Sequence, residues 1–382
     1  MYTTSRRTAL AALLGGAMAT AARSMKVTRI DVTEVIVPMK KGAVTSDNYG
    51  ATRDVSLAEF DKYSKFLLRL HTDDGLVGLG ETGRQVPAEA VHRNAQWLKG
   101  KAIQDLDLSL PQLGLPGNRT ADAFEIALYD LLGKALGLPV CALLGGCHQK
   151  KVAVSYWTGQ RTIEDLVKIG ERGVELGFKN LKFKARNGDP IDRQLAAVAR
   201  AAPSLSFIVD FNSSIPDVPS FLHLAKRLEG YPVTIEDPVP KRLEWFAQIR
   251  RRTNIPIALT PGGATQMYEA IRQEAADVFN LGGNMREFVR LGHLAEVAGI
   301  PAWHGSGVEL GIRDVSFIHA AAATRSCTVP SDTLCFLREH DLLATPFRVT
   351  SGFFEVPKGP GLGVEFDEHA VRRYRVGAVK TI

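Results

Sequence analysis

Several patterns are missing from this chain of 382 residues. It has no apolar run of roughly 18 residues or more, which is the length that a membrane-spanning helix needs. It has only four cysteines, and their spacing matches neither a zinc site nor a small disulfide scaffold. The motifs of serine hydrolases, zinc proteases and phosphate-binding loops are also absent. A membrane span and these kinds of site are therefore not expected.

Excess charge is small as well. The formal net charge is +6, and it falls to +3 when residues 1–24, with Arg6, Arg7 and Arg23, are removed. No block of lysine and arginine indicates binding to nucleic acid. A mild positive excess is better suited to an anionic small molecule.

Residues 1–24 have the pattern of an export signal. Ser5-Arg6-Arg7 precedes a short stretch rich in alanine and glycine, with small-residue cleavage sites such as Ala19-Thr20-Ala21. Paired arginines indicate the twin-arginine route, and therefore a periplasmic protein. The alternatives are an alanine-rich helix of the folded protein, or a cytoplasmic protein whose true start is Met25.

The next part of the chain, residues 25–148, predicts an α+β capping domain. A first strand and a hairpin alternate apolar and polar residues, and two helical segments follow them. A polar connection at 39–60 separates the first strand from the hairpin. Connections of this length are uncommon unless they are functional, so we interpret it as a lid.

Residues 149–335 predict a (β/α)8 barrel of the TIM type. Short apolar strands alternate with helical segments eight times, and the eighth strand is expected at about 326–329. Repeated strand–helix units of this kind close into a parallel barrel. We expect the remaining residues, 336–382, to pack back on the capping domain.

Charged residues stand where the predicted barrel strands end, which is where such barrels place their active sites. Lys182 and Lys184 end the second strand, and because a strand alternates faces their side chains point the same way. Asp210 and Glu236 end the third and fourth strands, one strand–helix unit apart. Two converging carboxylates are hard-oxygen ligands that predict a Mg²⁺ site. The simpler alternatives are two solvated lysines on an edge strand, or an ion pair between Lys184 and Asp210.

Further candidates lie near the same rim. His304 ends the seventh strand and is a candidate acid or base, because imidazole titrates near neutral pH. Glu309 is another acid nearby, whereas the position of Asp277 at the start of the sixth strand argues for a structural role. The other candidates at strand ends are Asn212, Asp237, Thr260 and Asn280. Candidate substrate contacts are Tyr49 and Arg53 in the lid and Arg84, Tyr156 and Trp157 at the rim.

From Met25 onward the chain resembles the enolase superfamily, in the branch of mandelate racemase and muconate lactonizing enzyme. The matching segments are the helix at 123–139, Leu-Leu-Gly-Gly at 143–146, Lys-x-Lys at 182–184, Ile-Glu-Asp-Pro at 235–238 and Gly-Leu-Gly-Val-Glu at 361–365. The resemblance implies removal of the proton α to a carboxylate, with Mg²⁺ stabilising the enediolate.

The resemblance also implies roles for individual residues. Lys184 would be the base and Lys182 its electrostatic neighbour, Asp210 and Glu236 would bind the metal, and His304 would be a second acid or base. One position departs from the family pattern, because the fifth strand ends in Ile257-Ala-Leu-Thr-Pro-Gly-Gly263, without the expected third ligand. Thr260 or a backbone carbonyl would have to substitute through water, with weaker affinity.

These residues favour a dehydratase of a hydroxylated, sugar-like acid, in which Lys184 takes the α-proton and His304 helps to expel the β-hydroxyl. A racemase or epimerase would use the same two residues. A cycloisomerase would need a lysine at the end of the sixth strand, where Asn280 stands. A metal-poor binding relative without catalysis would explain the missing acid. The expected partners are a small carboxylate substrate and further copies of the chain in a homo-oligomer.

Overall fold

The structure is a computed structural model, and it describes residues 25–49, 63–107 and 120–382. The predicted export signal at 1–24 and the predicted substrate contact Arg53 lie outside the described residues. In the described part of the chain, no helix is both long enough and apolar enough to span a bilayer.

A four-stranded antiparallel sheet forms the first part of the fold. Its strand order is β13-β1-β2-β3, with bounds β1 (Val27–Val35), β2 (Lys65–Thr72), β3 (Val77–Glu81) and β13 (Lys380–Thr381). The described helices beside it are α1 (Ala88–Leu98), α2 (Ala121–Leu136) and α3 (Val140–Leu143). Helix α2 packs so closely on β3 that a Cβ at Gly80 would lie 2.2 Å from the carbonyl oxygen of Ala123. Since β13 pairs with β1, the C-terminus of the chain completes this sheet.

Eight parallel strands form a nearly closed barrel, which confirms the predicted fold class. Their order is β10-β9-β8-β7-β6-β5-β4-β11. Their bounds are β4 (Lys151–Thr158), β5 (Asn180–Lys184), β6 (Ser206–Asp210), β7 (Val233–Glu236), β8 (Ile257–Leu259), β9 (Val278–Leu281), β10 (Ala302–His304) and β11 (Ser331–Thr333). A parallel bridge between Ala302 and Cys327 brings the two edges of the sheet together.

Helices follow the barrel strands in turn. Their bounds are α4 (Ile163–Glu175), α5 (Ile191–Ala201), α6 (Val218–Leu228), α7 (Leu243–Arg250), α8 (Ala264–Arg272), α9 (Met285–Val297) and α10 (Gly311–Ala322). Thr162, Asp217 and Asn284 cap three of them by accepting a hydrogen bond from the backbone N–H three residues later. In the C-terminal segment, β12 (Phe353–Glu355) pairs antiparallel with β4, and α11 (Glu368–Tyr374) precedes β13.

The eighth strand begins later than the sequence predicts. Cys327 makes only the single bridge to Ala302, and Pro330 then interrupts the segment because proline has no backbone N–H to donate. Strand β11 therefore begins at Ser331 and pairs with β4. This shift from 326–329 brings a different residue, Asp332, into the strand.

Alternation along the strands divides the barrel into two cores. Ile208, Ala258, Val278 and Trp303 form a small apolar cluster that is separate from the main core. The main core holds the residues next to them in sequence, such as Val209 on β6. Because neighbours along a strand face opposite sides, this division tells which side chains point into the barrel.

The structure contains a disulfide that the sequence analysis did not predict. It joins Cys141 and Cys147, whose Cα atoms lie 5.0 Å apart, just after helix α3. Cys141 is buried and Cys147 is exposed. The other two cysteines, Cys327 and Cys335, are buried and free.

We predict that Cys147→Ser lowers the free energy of unfolding by about 2 kcal/mol, because the unfolded chain regains the freedom of a short closed loop. The exposed position keeps the packing of Cys141 intact. Urea unfolding under non-reducing conditions measures the change. Reduced wild-type protein should then match the variant, and equal stability of the oxidised wild type and the variant would contradict the prediction.

Candidate active site

A cavity of about 410 Å³ opens at the C-terminal ends of the barrel strands. The residues predicted from the sequence that line it are Arg84, Trp157, Lys182, Lys184, Asp210, Asn212, Glu236, Asp237, Thr260 and Asn280. Polar lining residues that the sequence analysis missed are Arg186, Lys241, Ser306 and Asp332. The cavity thus combines five basic with four acidic side chains, and suits a polar anion.

Lys182 lies at the centre of this charge arrangement. Its side chain is 1% exposed, and Nζ lies 2.6 Å from Oε2 of Glu236 and 2.8 Å from Oδ2 of Asp332. Trp303 covers it from inside the barrel, with the ring centroid 5.1 Å from Nζ. Burial alone would lower the pKa of Lys182, but the carboxylates of Asp332 and Glu236 raise the pKa overall. Lys182 is therefore a fixed cation and not a base.

Lys184 is the lysine that faces the cavity. It is 16% exposed, and its Nζ forms an ion pair with Oδ2 of Asp210, its register partner on β6. Asp210 also accepts hydrogen bonds from the backbone N and from Nδ2 of Asn212, at 2.8 and 3.3 Å. Burial would raise the pKa of Asp210, but Lys184 and Lys182 lower it overall, so the carboxylate is ionised.

Glu236 ends the neighbouring strand and is held by polar side chains. Its Oε1 accepts hydrogen bonds from Oγ1 of Thr260 at 3.0 Å and from Nδ2 of Asn280 at 2.5 Å. Gly305 makes room for this amide, since a Cβ there would lie 2.3 Å from Oδ1 of Asn280. Asn280 therefore serves as a donor to Glu236.

Asp237 and Lys241 fix the backbone beside Glu236. Lys241 Nζ lies 2.8 Å from Oδ2 of Asp237 and donates to the carbonyl oxygen of Thr260 at 2.7 Å. The backbone N of Thr260 donates to Oδ1 of Asp237 at 3.0 Å. Burial and the charge of Glu236 raise the pKa of Asp237 to about 6. Thr260 is thus bound through its backbone N, its carbonyl and its hydroxyl.

Asp332, the middle residue of β11, is the most important residue that the sequence analysis missed. Its Oδ2 contacts Lys182, while its buried Oδ1 has no hydrogen-bond partner among the described residues. Burial raises the pKa of Asp332 to about 6, although Lys182 opposes the shift. The only signal in the sequence was an acidic residue two positions after Pro330, close to the predicted eighth strand.

His304 does not lie in the cavity, so the catalytic role predicted for it is wrong. In the parallel register Trp303 pairs with Asn280 and His304 pairs with Leu281, which places the imidazole on the outer side of β10. There the ring stacks on Phe317 with a centroid distance of 3.5 Å. Burial lowers the pKa of His304 to about 3. The side chain is a neutral part of the packing between the barrel and its helices.

The same alternation corrects a second prediction. Tyr156 stacks on Phe178 outside the barrel, with ring centroids 4.9 Å apart, and is not a rim contact. Its neighbour Trp157 faces the cavity instead. Tyr49 is half-buried in the described part of the lid, outside the described cavity lining.

Two further candidates have structural roles. Asp277 lies at the opposite end of β9, where it pairs with Arg250 at 2.6 Å and accepts the backbone N–H of Ile257 at 2.9 Å. Glu309 is fully buried, and its carboxylate accepts hydrogen bonds from Ser306 Oγ and from the backbone N of Gly307. Glu309 therefore positions the cavity-lining loop at 305–308 and does not face the cavity itself.

The described residues do not fit the Mg²⁺ that the family resemblance implies. Asp210 and Glu236 provide two carboxylates, but the expected third position holds Thr260, whose hydroxyl donates to Glu236. Among the residues described, no group of three His, Cys, Asp or Glu side chains is arranged to hold a metal ion. Lysine and amide donors already contact both carboxylates. The chemistry of the site is therefore considered below from the protein's own groups.

We predict that His304→Phe removes a pH-dependent loss of stability. The pKa of about 3 in the folded protein lies below the ~6.5 of an unfolded histidine, so the unfolded chain binds more protons. This contribution to stability is complete above about pH 6.5 and is lost as the pH falls towards 3. Relative to wild type, the variant should gain on the order of 2 kcal/mol between pH 7.5 and 4.5 in urea unfolding. An equal loss in both proteins would contradict it.

Comparisons with known proteins agree with this geometry. The family model described as Enolase C-terminal domain-like matches residues 165–370. The model described as Mandelate racemase / muconate lactonizing enzyme, N-terminal domain, matches residues 44–145. Together the two matches include strands β2 and β3 of the four-stranded sheet (the capping sheet) and barrel strands β5 to β11.

Individual relatives carry out three different reactions. N-succinylamino acid racemase of Thermus thermophilus is 35% identical, over 67% of this chain and 72% of that protein. D-galactonate dehydratase of Pectobacterium atrosepticum is 29% identical, over 80% and 89%. The structure of muconate lactonizing enzyme from Pseudomonas fluorescens, complexed with muconolactone, is 25% identical with a TM-score of 0.77, over 93% and 100%. The chain therefore belongs to the mandelate racemase and muconate lactonizing enzyme family of the enolase superfamily.

Proposed function

We propose that the protein removes the α-proton of a small hydroxylated carboxylate with Lys184 as the base, and that the reaction is a dehydration. The observation that carries the proposal is the pair of lysines on β5. Lys184 reaches the cavity, while Lys182 is buried beside it as a fixed cation. One amine can accept a proton, and the other stabilises the negative charge that results.

Charge stabilisation is the main difficulty of such a reaction, because the α-proton of a carboxylate is very weakly acidic. The enediolate that forms needs positive charge that is already in place. Lys182 supplies a buried ammonium whose pKa is raised. Arg84, Arg186 and Lys241 also line the cavity and favour an anionic substrate.

The proton acceptor must be neutral before the substrate reacts. As an amine, Lys184 can still donate one N–H to Asp210, its contact in the structure, while its lone pair faces the cavity. The proton leaves Cα with its electron pair retained by the substrate, and a new N–H bond forms on Lys184. Asp210 then stabilises the ammonium that has formed.

Dehydration also requires an acid for the departing hydroxyl group, and Asp332 is the candidate. Burial raises its pKa to about 6, so the protonated fraction grows as the pH falls below neutral, and its Oδ1 has no partner among the described residues. The C–O bond at Cβ breaks as a double bond forms to Cα, and the hydroxyl leaves as water with the proton of Asp332. The enol product becomes a 2-keto acid when it regains a proton at carbon.

Racemisation is less favoured because it needs a second base on the other face of the substrate. With His304 outside the cavity, the described lining contains no imidazole. Of the other two lysines in the described lining, Lys182 is a buried cation whose pKa is raised, and Lys241 binds both Asp237 and the carbonyl oxygen of Thr260. The relative named D-galactonate dehydratase supports a sugar acid as substrate.

A second candidate function is binding of a carboxylate without turnover. The observation in its favour is that both Lys182 and Lys184 are ion-paired in the structure. The test is to incubate the protein in D₂O with D-galactonate and other aldonates, and with N-succinyl amino acids, and to follow the Cα proton by NMR. Water loss supports dehydration, exchange with loss of optical activity supports racemisation, and ligand binding without either supports the second candidate.

We predict that Lys184→Met lowers α-proton exchange by about 10²- to 10⁴-fold, because the variant has no group to accept the proton. Lys179→Met is the matched control, since Lys179 is an exposed lysine just before the same strand, at the other end of the barrel. Circular dichroism establishes that both variants fold. Exchange at the wild-type rate in Lys184→Met would refute its assignment as the base.

We predict that Asp332→Asn separates the two halves of the reaction. The amide keeps the shape of Asp332 but carries no acidic proton, so dehydration should fall by about 10²-fold or more. Exchange at Cα should fall less than dehydration, because Lys184 is unchanged although Lys182 loses one of its two carboxylate partners. NMR measures both processes in one sample. An equal loss of exchange and dehydration would argue against Asp332 as the acid.

A further inference from the structure

We infer that lysine ammonium groups occupy the coordination of the site's carboxylates in place of a divalent cation, so that the folded protein does not bind Mg²⁺ there. The inference concerns the site of the proposed function, but it does not require that function to be correct. It rests on how the oxygens of Asp210 and Glu236 are used.

Every oxygen of these two carboxylates already contacts a donor of the protein. Oδ1 of Asp210 accepts the backbone N–H of Asn212, and Oδ2 contacts Lys184. Oε1 of Glu236 accepts hydrogen bonds from Asn280 and Thr260, whereas Oε2 forms an ion pair with Lys182 Nζ at 2.6 Å and has no hydrogen-bond partner among the described residues. A cation that bound here would have to displace donors from both side chains.

Thr260 supplies a neutral hydroxyl at the position where the family resemblance implies a third charged or amide ligand. Its hydroxyl donates to Glu236, and its backbone is held on both sides by Asp237 and Lys241. These contacts keep its side chain directed at Glu236. Thr260 therefore adds a hydrogen bond to Glu236 but no carboxylate, so Asp210 and Glu236 remain the only two acids at the expected ligand positions.

A third acid is present, but on another strand, where it holds a lysine. Asp332 is the middle residue of β11 and lies 2.8 Å from Lys182 Nζ, on which Glu236 also converges. The ammonium thus occupies the place of a cation between two carboxylates. Displacing it by Mg²⁺ would leave a buried ammonium without its partners, which is strongly unfavourable.

The test is Mg²⁺ binding to the EDTA-treated, full-length protein, measured by calorimetry and by the shift in melting temperature. For wild type we expect no saturable binding up to about 10 mM and no shift in melting temperature. Mn²⁺, whose free form is counted by electron paramagnetic resonance, serves as a second probe. Saturable binding of either ion with a dissociation constant below about 10 mM would overturn the inference.

A second test asks whether a substitution of Thr260, at the position of the missing ligand, creates Mg²⁺ binding. Thr260→Asp adds a carboxylate next to Glu236, and we expect saturable Mg²⁺ binding with a dissociation constant of about 1 mM or lower, where wild type shows none. Thr260→Asn is the matched control, with the same shape and no charge. If Thr260→Asp folds in Mg²⁺ but not in EDTA, this outcome also shows that the variant binds the ion. Saturable Mg²⁺ binding by both variants with the same affinity would contradict the inference.

The two proposals fail in different ways. Exchange of the α-proton by the wild-type protein in EDTA supports both the proposed function and the inference that no Mg²⁺ binds. Exchange only after Mg²⁺ has bound overturns this inference and leaves the proposed function intact. Absence of exchange on every substrate tried, with no Mg²⁺ binding by wild type and a gain in Thr260→Asp, supports the inference and counts against catalysis.

Discussion

The ammonium of Lys182 between Glu236 and Asp332 is the interaction on which the rest of the site depends. It joins strands β5, β7 and β11, so it connects positions on both sides of the barrel mouth. The three side chains are at most 5% exposed, and removal of one partner from such a group typically costs about 3–5 kcal/mol. Because the carboxylates converge on one cation, the geometry of the mouth is fixed before any ligand enters.

The position of Asp332 explains how the site tolerates the lack of an acid at the end of β8. Lys182 and Lys184 need acidic partners, because an unpaired buried ammonium is costly. With Thr260 on the fifth strand of the barrel, the additional negative charge comes from the eighth strand and lies beside Lys182. The charges at the mouth are therefore nearly balanced within the protein. A substrate carboxylate would meet lysines that are already oriented, and preorganisation of this kind is what stabilises charge as it develops.

The sequence predicted those parts of the site that follow from strand periodicity. Lys182, Lys184, Asp210 and Glu236 were placed correctly at one cavity because each occupies an inward position at a strand end. His304 and Tyr156 were misplaced for the same reason, because each was chosen for the chemistry of its side chain. In each case the adjacent tryptophan, Trp303 or Trp157, takes the inward position. The register with the neighbouring strand decides which of two adjacent residues faces inward. A single sequence does not supply that register. The sequence analysis placed the eighth strand too early, because Cys327 forms only one bridge and Pro330 delays the start of β11 to Ser331. Asp332 was therefore missed.

Contacts between the two parts of the fold could not be predicted at all, because they join residues far apart in the chain. Glu81 at the end of β3 pairs with Lys65 at 2.7 Å and accepts the backbone N–H of Leu310, also at 2.7 Å. Leu310 follows Glu309, whose carboxylate holds the loop at 305–308 that lines the cavity. The capping sheet therefore fixes the segment next to Glu309, and through it one wall of the cavity. Strand ends of the barrel place the charges, whereas the capping domain sets the shape of the space in which a substrate meets them.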